Sequence, residues 1–521
     1  MKNKTFDPAF IIFSILIAIF GAIIGMQLIT TLGITPNTSI IGALVAILIA
    51  RIPMQMFYKY RSLENQNLVQ TTISAATFGA ANSLLIPIGL PYVMGMPELI
   101  IPMLIGAGIA LLIDSLILYK VFDTKLFGAD ETWPPGVATA EALKAGDEGG
   151  SKAKFLGLGI FGGMIGSHLG ISMSAFGVAF IGNIWALSMF GIGLLLRGYS
   201  VQLFGMDLNQ YYVPHGMMIG AGMVALLQFI ITLRKSKKEN AKKVKSTERE
   251  YTRTDKDIKS AFGYGYLFYS IGAVIVAVVG GILGDMPIWQ LILFVLFAAF
   301  AALVSEIIVG IAAMHSGWFP AFAVTLISLL IGMLLGFPPV ALALLTGYTA
   351  ATGPAFADLG YDFKSGVIIR NGSTITQELF GRKQQLKSAF IGFGVAIVMV
   401  FLFANNFFER DLIPPVDKVY ATTIESGLAG NVGLLILLWA IPGALIQLIG
   451  GPKRQMGILF ATGLLIINPI AGWAVLSGIL IRVIILKVRG PEAESTMYTT
   501  AAGFIAGDAL YSFFTSIWKA R

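Results

Sequence analysis

IWQLILFVLFAAFAALVSEII, residues 288–308, carries a single ionisable side chain, Glu306, in an otherwise apolar run. A hydrocarbon core takes roughly 20 helical residues to cross, and this run is long enough. Residues 9–32, 99–119 and 262–283 read the same way. Only 12% of the 521 residues are charged and 56% are hydrophobic, and the charges collect in gaps between apolar runs. A soluble chain of this length needs a polar shell with roughly twice that charged fraction. The expectation is an all-α, polytopic integral membrane protein in two halves, of about 14–16 transmembrane helices, with broken or re-entrant segments.

Sixty glycines suit closely packed membrane helices. The absence of cysteine excludes a disulfide, a thiolate metal site and a cysteine nucleophile. Of the net charge of +8, residues 234–259 supply most, with eleven Lys/Arg against five Asp/Glu. A basic loop between apolar spans marks a cytoplasmic face. Nucleic-acid binding is not expected, because aromatic interleaving and a recognisable module are both missing. Lys2 and Lys4 precede an apolar run too long for a signal-peptide core, and no small-residue cleavage site follows. The first span is therefore read as uncleaved and the protein as multi-pass in a cell (plasma) membrane, with the N-terminus and the loop 234–259 cytoplasmic.

The basic loop divides the chain into a membrane half 1–233, the loop 234–259, and a membrane half 260–521. Further basic gaps at 51–61, 120–154, 364–387, 453–454 and 487–489 read as inside loops. Gaps at 33–39, 95–97 and 284–287 lack Lys/Arg and alternate with them. Residues 200–214 are too short and polar for an ordinary span, and Asn468-Pro469 divides the apolar run 457–486. A weak internal repeat matches Arg61, Glu64, Thr71, Thr72 and Gly79 to Arg489, Glu492, Thr499, Thr500 and Gly507.

Four segments are too polar, or too rich in Pro and Gly, for plain lipid-facing spans. In residues 67–82, a helical period places Asn67, Gln70, Thr71 and Ser74 on one face, with Thr77 and Asn82 near its edge. That face suits a polar path; helix–helix hydrogen bonding is the alternative. In residues 132–146, Pro134-Pro135-Gly136 precedes a strong helix former that contains Glu141. A helix starting after Gly136 would offer free N–H groups to a carboxylate, unless it is simply a capped loop helix. Residues 352–366, continuing to Gln377, bring Asp358, Asp362 and Lys364 to the end of an apolar span, where solvated interfacial charges are the alternative. Residues 506–512 place Asp508 and Tyr511 inside the last span. Intramembrane charge marks an ion or substrate path by default. On that ground Glu306 and Asp508 lead the proton-coupling candidates, followed by Asp114, His168, His215 and His315. Carbonyl-bonded packing is the alternative for each histidine. Three separated histidines lack ligand spacing, so neither a metal site nor a cofactor is expected.

These segments, in this order, resemble the oligopeptide transporter (OPT) family, which includes the yellow-stripe-like carriers of metal chelates. The likeness rests on Asn67-Leu-Val-Gln-Thr with Ser74-Ala75, Trp133-Pro-Pro-Gly-Val-Ala-Thr-Ala140, and Asp358-Leu-Gly-Tyr-Asp-Phe-Lys-Ser-Gly366 with Gln377. Pro414-Pro415 before Ala429-Gly430 and Gly507-Asp508-Ala-Leu-Tyr511 complete it. The resemblance implies a secondary carrier of about sixteen helices for peptides or chelated metals, typically proton-driven. Asn-Pro-Gly and Lys-Ile-Pro-Pro-Arg, marks of the eukaryotic peptide branch, are absent, as is a long acidic N-terminal tail. A prokaryotic member fits better.

The expected function is proton-coupled symport of short oligopeptides or peptide-like compounds, or of siderophore-like metal chelates. The expected partners are the lipid bilayer, the substrate and protons, and self-association into a homo-oligomer stays open. An intramembrane aspartyl protease is the enzymatic rival, through Tyr361-Asp362 and Gly507-Asp508. Its second motif needs a glycine where this chain has Ile505. A channel is the third reading. Neither a His-Glu-x-x-His zinc motif nor a phosphate-binding loop occurs, which argues against a metalloprotease and ATP drive.

Overall fold

The computed structural model describes residues 8–32, 38–239, 251–317, 319–427 and 431–519. Among them all extended regular structure is helical, with one isolated bridge between Phe122 and Phe127. Among the described residues, nine helices are long and apolar enough to cross a membrane, and five shorter apolar helices accompany them. Burial is inverted relative to a soluble protein: Leu437, Ile441 and Leu448 are each more than 60% exposed. Asp114, Glu306, Asp358 and Asp362 are buried. Apolar side chains outside and charge inside is the arrangement a bilayer selects.

The sequence halves interleave in space. Val213–Glu239 packs along Val432–Arg454, Gly150–His168 along Glu494–Lys519, and Leu63–Phe78 along Ile375–Phe408. Small residues permit these approaches. A Cβ at Gly159 would sit 2.8 Å from the Gly503 Cα, and one at Gly163 would sit 3.1 Å from the Gly507 Cα. Two glycines one turn apart on each helix let the backbones touch.

The interruptions at residues 200–214 and at Asn468-Pro469 are present. Ser200–Phe204 is a short helix followed by an irregular segment, and Met456–Leu465 ends before Pro469–Arg489. Two buried spans are also broken. Leu63–Val93 relaxes into a π-helix at Gly79–Leu85, just before Pro87, whose missing N–H frees a carbonyl one turn back. Pro339–Ile369 breaks between Ala350 and Pro354, where Gly353 has φ +92° and a Cβ would meet Val309 at 2.9 Å.

Several basic gaps differ from the loops expected of them. Residues 120–154 contain the buried helix Pro134–Glu148, packed on Pro354–Ile369. Residues 364–387 are a helix end, a short turn and the start of Ile375–Phe408. The loop 234–259 is helical at both margins, while 240–250, with 1–7, 33–37 and 429–430, lies outside the described residues. Pro134–Glu148 begins at Pro134, not after Gly136. Prolines fill the first two helical positions, where no donor is needed, and the N–H groups of Gly136 and Val137 both donate to Trp133 O. No free N–H cluster remains there for a carboxylate. Gly136 instead lets the helix lie against Lys364, whose Cβ a side chain would meet at 2.7 Å.

Gly159→Ala should therefore lower the stability of the purified protein by about 1–3 kcal/mol through overpacking. Gly157→Ala, exposed with nothing within 4 Å of the new Cβ, should be neutral or stabilising by up to about 1 kcal/mol. Equal melting shifts for the two variants in detergent would contradict the backbone contact.

Candidate functional site

Asp358 and Asp362 sit one turn apart on Pro354–Ile369, so their carboxyl groups share a face. That face meets Leu63–Phe78 and the start of Thr38–Ala50. Ser74 Oγ lies 2.8 Å and 3.0 Å from the two oxygens of Asp358. Thr38 Oγ1 donates to Asp358 Oδ1 at 3.2 Å. Ser39 Oγ bridges the acids, 3.4 Å from Asp358 Oδ1 and 3.1 Å from Asp362 Oδ1. Gln70 Nε2 donates to Asp362 Oδ1 at 2.5 Å. Asn67 Nδ2 steadies Gln70 at 3.0 Å and reaches Ser365 Oγ at 2.7 Å.

The donor supply is short. Each hydroxyl has one proton, and Ser39 and Ser74 have more than one acceptor within reach. Asp362 Oδ2 has no donor. The nearest cation in sequence, Lys364, is turned away, with Nζ donating to Ala129 O at 2.7 Å and Glu131 O at 2.8 Å. Among the described residues, no ion pair reaches either acid. Two enclosed carboxyl groups thus have only neutral donors around them.

An ion cluster flanks one end of this site. Gln385 Nε2 donates to Asp362 O at 2.5 Å, and its Oε1 accepts from Arg370 Nη2 at 3.0 Å. Arg370 forms a two-pronged bridge to Glu378, both contacts at 2.9 Å. Arg382, fully buried, donates to Glu378 at 3.3 Å, Phe122 O at 3.0 Å and Thr252 Oγ1 at 3.1 Å.

Of the residues singled out by sequence, Asn67, Gln70, Thr71, Ser74, Asp358 and Asp362 are thus brought together, Thr71 through Gln385 Nε2 at 3.5 Å. Pro135 and Gly136 back the acid-bearing helix, and Asn82 lies half-buried on the π-helical segment. Glu141 accepts from Thr499 at 3.2 Å. Gln377 is exposed and closes a capping box with Thr374 at the start of its helix. Asp508 forms a separate cluster: it accepts from Ser167 Oγ at 2.5 Å and from the Ser174 N–H at 2.8 Å. Exposed His168 lies 3.3 Å from Tyr511 Oη in the same region. His215 is buried beside Tyr212, and His315 is buried 3.6 Å from Glu131. Asp362 and Asp508 share no hydrogen-bond partner.

Asp358, Asp362 and Lys364 are therefore not solvated interfacial charges. Sequence reasoning passed over Thr38, Ser39, Ser365 and Gln385. Thr38-Ser39 begins an apolar helix and reads as a cap, while Gln385 lies two turns beyond Gln377, on the face of its helix that carries Glu378. Asp417, also passed over, is fully buried beneath Gly89.

A polytopic helical bundle that encloses a buried polar cluster between broken helices is an architecture that membrane transporters use. A family described as OPT oligopeptide transporter protein matches residues 8–211 and 169–519, and the chain belongs to that family. No curated protein matches the chain significantly.

Ser74→Ala removes the donor facing both oxygens of Asp358 and should cost about 1–3 kcal/mol of thermal stability. Gln377→Ala should cost roughly 1 kcal/mol through its capping box and leave substrate uptake unchanged. Loss of uptake in the second variant at full folded yield would show that the path runs past Gln377.

Proposed function

We propose that the chain is a proton-coupled symporter of short peptides or peptide-like compounds, and that Asp358 and Asp362 receive the substrate's ammonium group. The observation that carries this reading is the donor deficit at the acid pair. An ammonium has three N–H donors, enough to fill Asp362 Oδ2 and relieve the hydroxyls shared between the two acids. Both acids lie on a helix that starts at a break, the element carriers use to form midplane sites. The Arg370–Glu378–Arg382 cluster is read as the closed gate, and parting it opens that end to water.

A prokaryotic cell membrane is the proposed location, with the N-terminus and the basic loop cytoplasmic, on the strength of their Lys/Arg excess. A metal chelate, as carried by yellow-stripe-like relatives, is the competing cargo. Particle mass in detergent tests for a homo-oligomer.

The test is uptake into proteoliposomes under an inward proton gradient, with a di- to hexapeptide pool beside iron and nickel chelates. Peptide accumulation abolished by an uncoupler is expected. Asp358→Asn and Asp362→Asn should each lower uptake roughly 10- to 100-fold, the equivalent of one charge-assisted contact of about 1.5–3 kcal/mol. N-acetylation of the peptide should act like the substitutions. Chelate accumulation without peptide would move the chain to the other branch, and retention of neither would leave the proposed cargo unsupported.

A further inference from the structure

A second acid pair lies outside the site just described, where four membrane segments meet. Asp114 comes from Ile100–Val121, Glu306 from Ile288–Ser316, and Tyr269 from Asp255–Val279. The fourth segment is the break before Pro354. Asp114 Oδ2 accepts the N–H groups of Gly353 at 3.1 Å and Phe356 at 2.8 Å, and so caps the helix that carries Asp358 and Asp362. Tyr269 Oη donates to Glu306 Oε1. Tyr348 Oη is engaged with Tyr269 O at 3.0 Å, and Ser305 Oγ bonds Thr352 O at 3.2 Å inside the break.

The hydrogen-bond accounting here comes out one proton short. The Asp114 and Glu306 carboxyl groups are neighbours at the break, close enough to act on each other. Their remaining oxygens, Asp114 Oδ1 and Glu306 Oε2, have no donor. Two carboxylates are acceptors only, so a bond between them requires a proton on one. Placed on Glu306 Oε2 and donated to Asp114 Oδ1, a single proton satisfies all four oxygens. The helix N-terminus favours the negative member at Asp114. The groups acting on the pair are Tyr269 on Glu306 and the two backbone N–H groups on Asp114, with Tyr348 behind Tyr269. Among the described residues, no lysine, arginine or histidine is one of them.

We propose that Asp114 and Glu306 form the proton-binding site of the carrier, holding one proton between them and tying its release to the substrate helix. This rests on the proton-coupled reading above. Binding converts the Glu306 carboxylate to the acid, whose O–H donates to Asp114. Release returns the proton to water and leaves two facing carboxylates in a buried setting. Their repulsion drives Asp114 off Gly353 and Phe356, and so uncaps the helix that presents Asp358 and Asp362.

Glu306→Gln and Asp114→Asn test this, because an amide N–H supplies the missing donor permanently. In proteoliposomes both variants are expected to lose uncoupler-sensitive accumulation while substrate counterflow, which needs no net proton movement, persists without its pH dependence. Infrared spectroscopy at neutral pH should show a protonated-carboxyl C=O band in the wild type that each variant loses. Retained proton-driven accumulation in either folded variant would overturn the proposal. So would a wild-type spectrum without the band, which needs no variant to fold. If wild-type uptake ignores uncouplers, the proton-coupled reading fails on its own, and loss of the band in the variants still locates a proton at this pair.

Discussion

The hydrogen bonds from Gly353 and Phe356 to Asp114 are the constraint on which the arrangement of the site depends. A helix that starts inside a bilayer exposes N–H groups where water is scarce, and each unsatisfied one costs several kcal/mol. Asp114 supplies the acceptor, so the chain can break at residues 351–353. The break in turn sets the rotation of Pro354–Ile369 and turns Asp358 and Asp362 toward Ser74 and Gln70. Gly353 adopts a backbone conformation that strains other residues, and Gly136 keeps the neighbouring helix close.

Two acid pairs thereby bear on one helix: Asp114 and Glu306 at its start, which we propose hold a proton, and Asp358 and Asp362 within it, which we propose receive a cation. A rigid helix transmits displacement from its cap to residues one and two turns away without any longer pathway. Coupling of this kind needs only that the proton and the substrate bias the same element.

Much of the fold was legible because its signals are local. Apolar runs, the divided run at Asn468-Pro469 and the polar face of residues 67–74 follow from composition and helical period alone. The partners of that face were not legible. Ser74 and Asp358 meet across 284 positions, and no local pattern reports such a contact. Solvation stood as the alternative for Asp358 and Asp362 because Lys364 and other basic residues follow them. Two carbonyls, from Ala129 and Glu131, make burial of that lysine tolerable. Pro134-Pro135-Gly136 misled for a related reason: the helix was expected to start after Gly136, yet the prolines themselves occupy its first positions. Gln377 drew notice by its place in a motif, whereas Gln385, on the same helix, makes the contact with Asp362 O.

The central claim, that Asp358 and Asp362 receive the substrate's ammonium, is tested most directly by a cryo-EM structure with a short peptide bound. The account predicts the peptide amine within hydrogen-bond distance of Asp362 Oδ2, with Ser39 and Ser74 reoriented around it. Peptide density elsewhere would contradict it, for instance in the cavity of about 580 Å³ lined by Phe155, Phe176 and Phe504, with the acid pair unchanged.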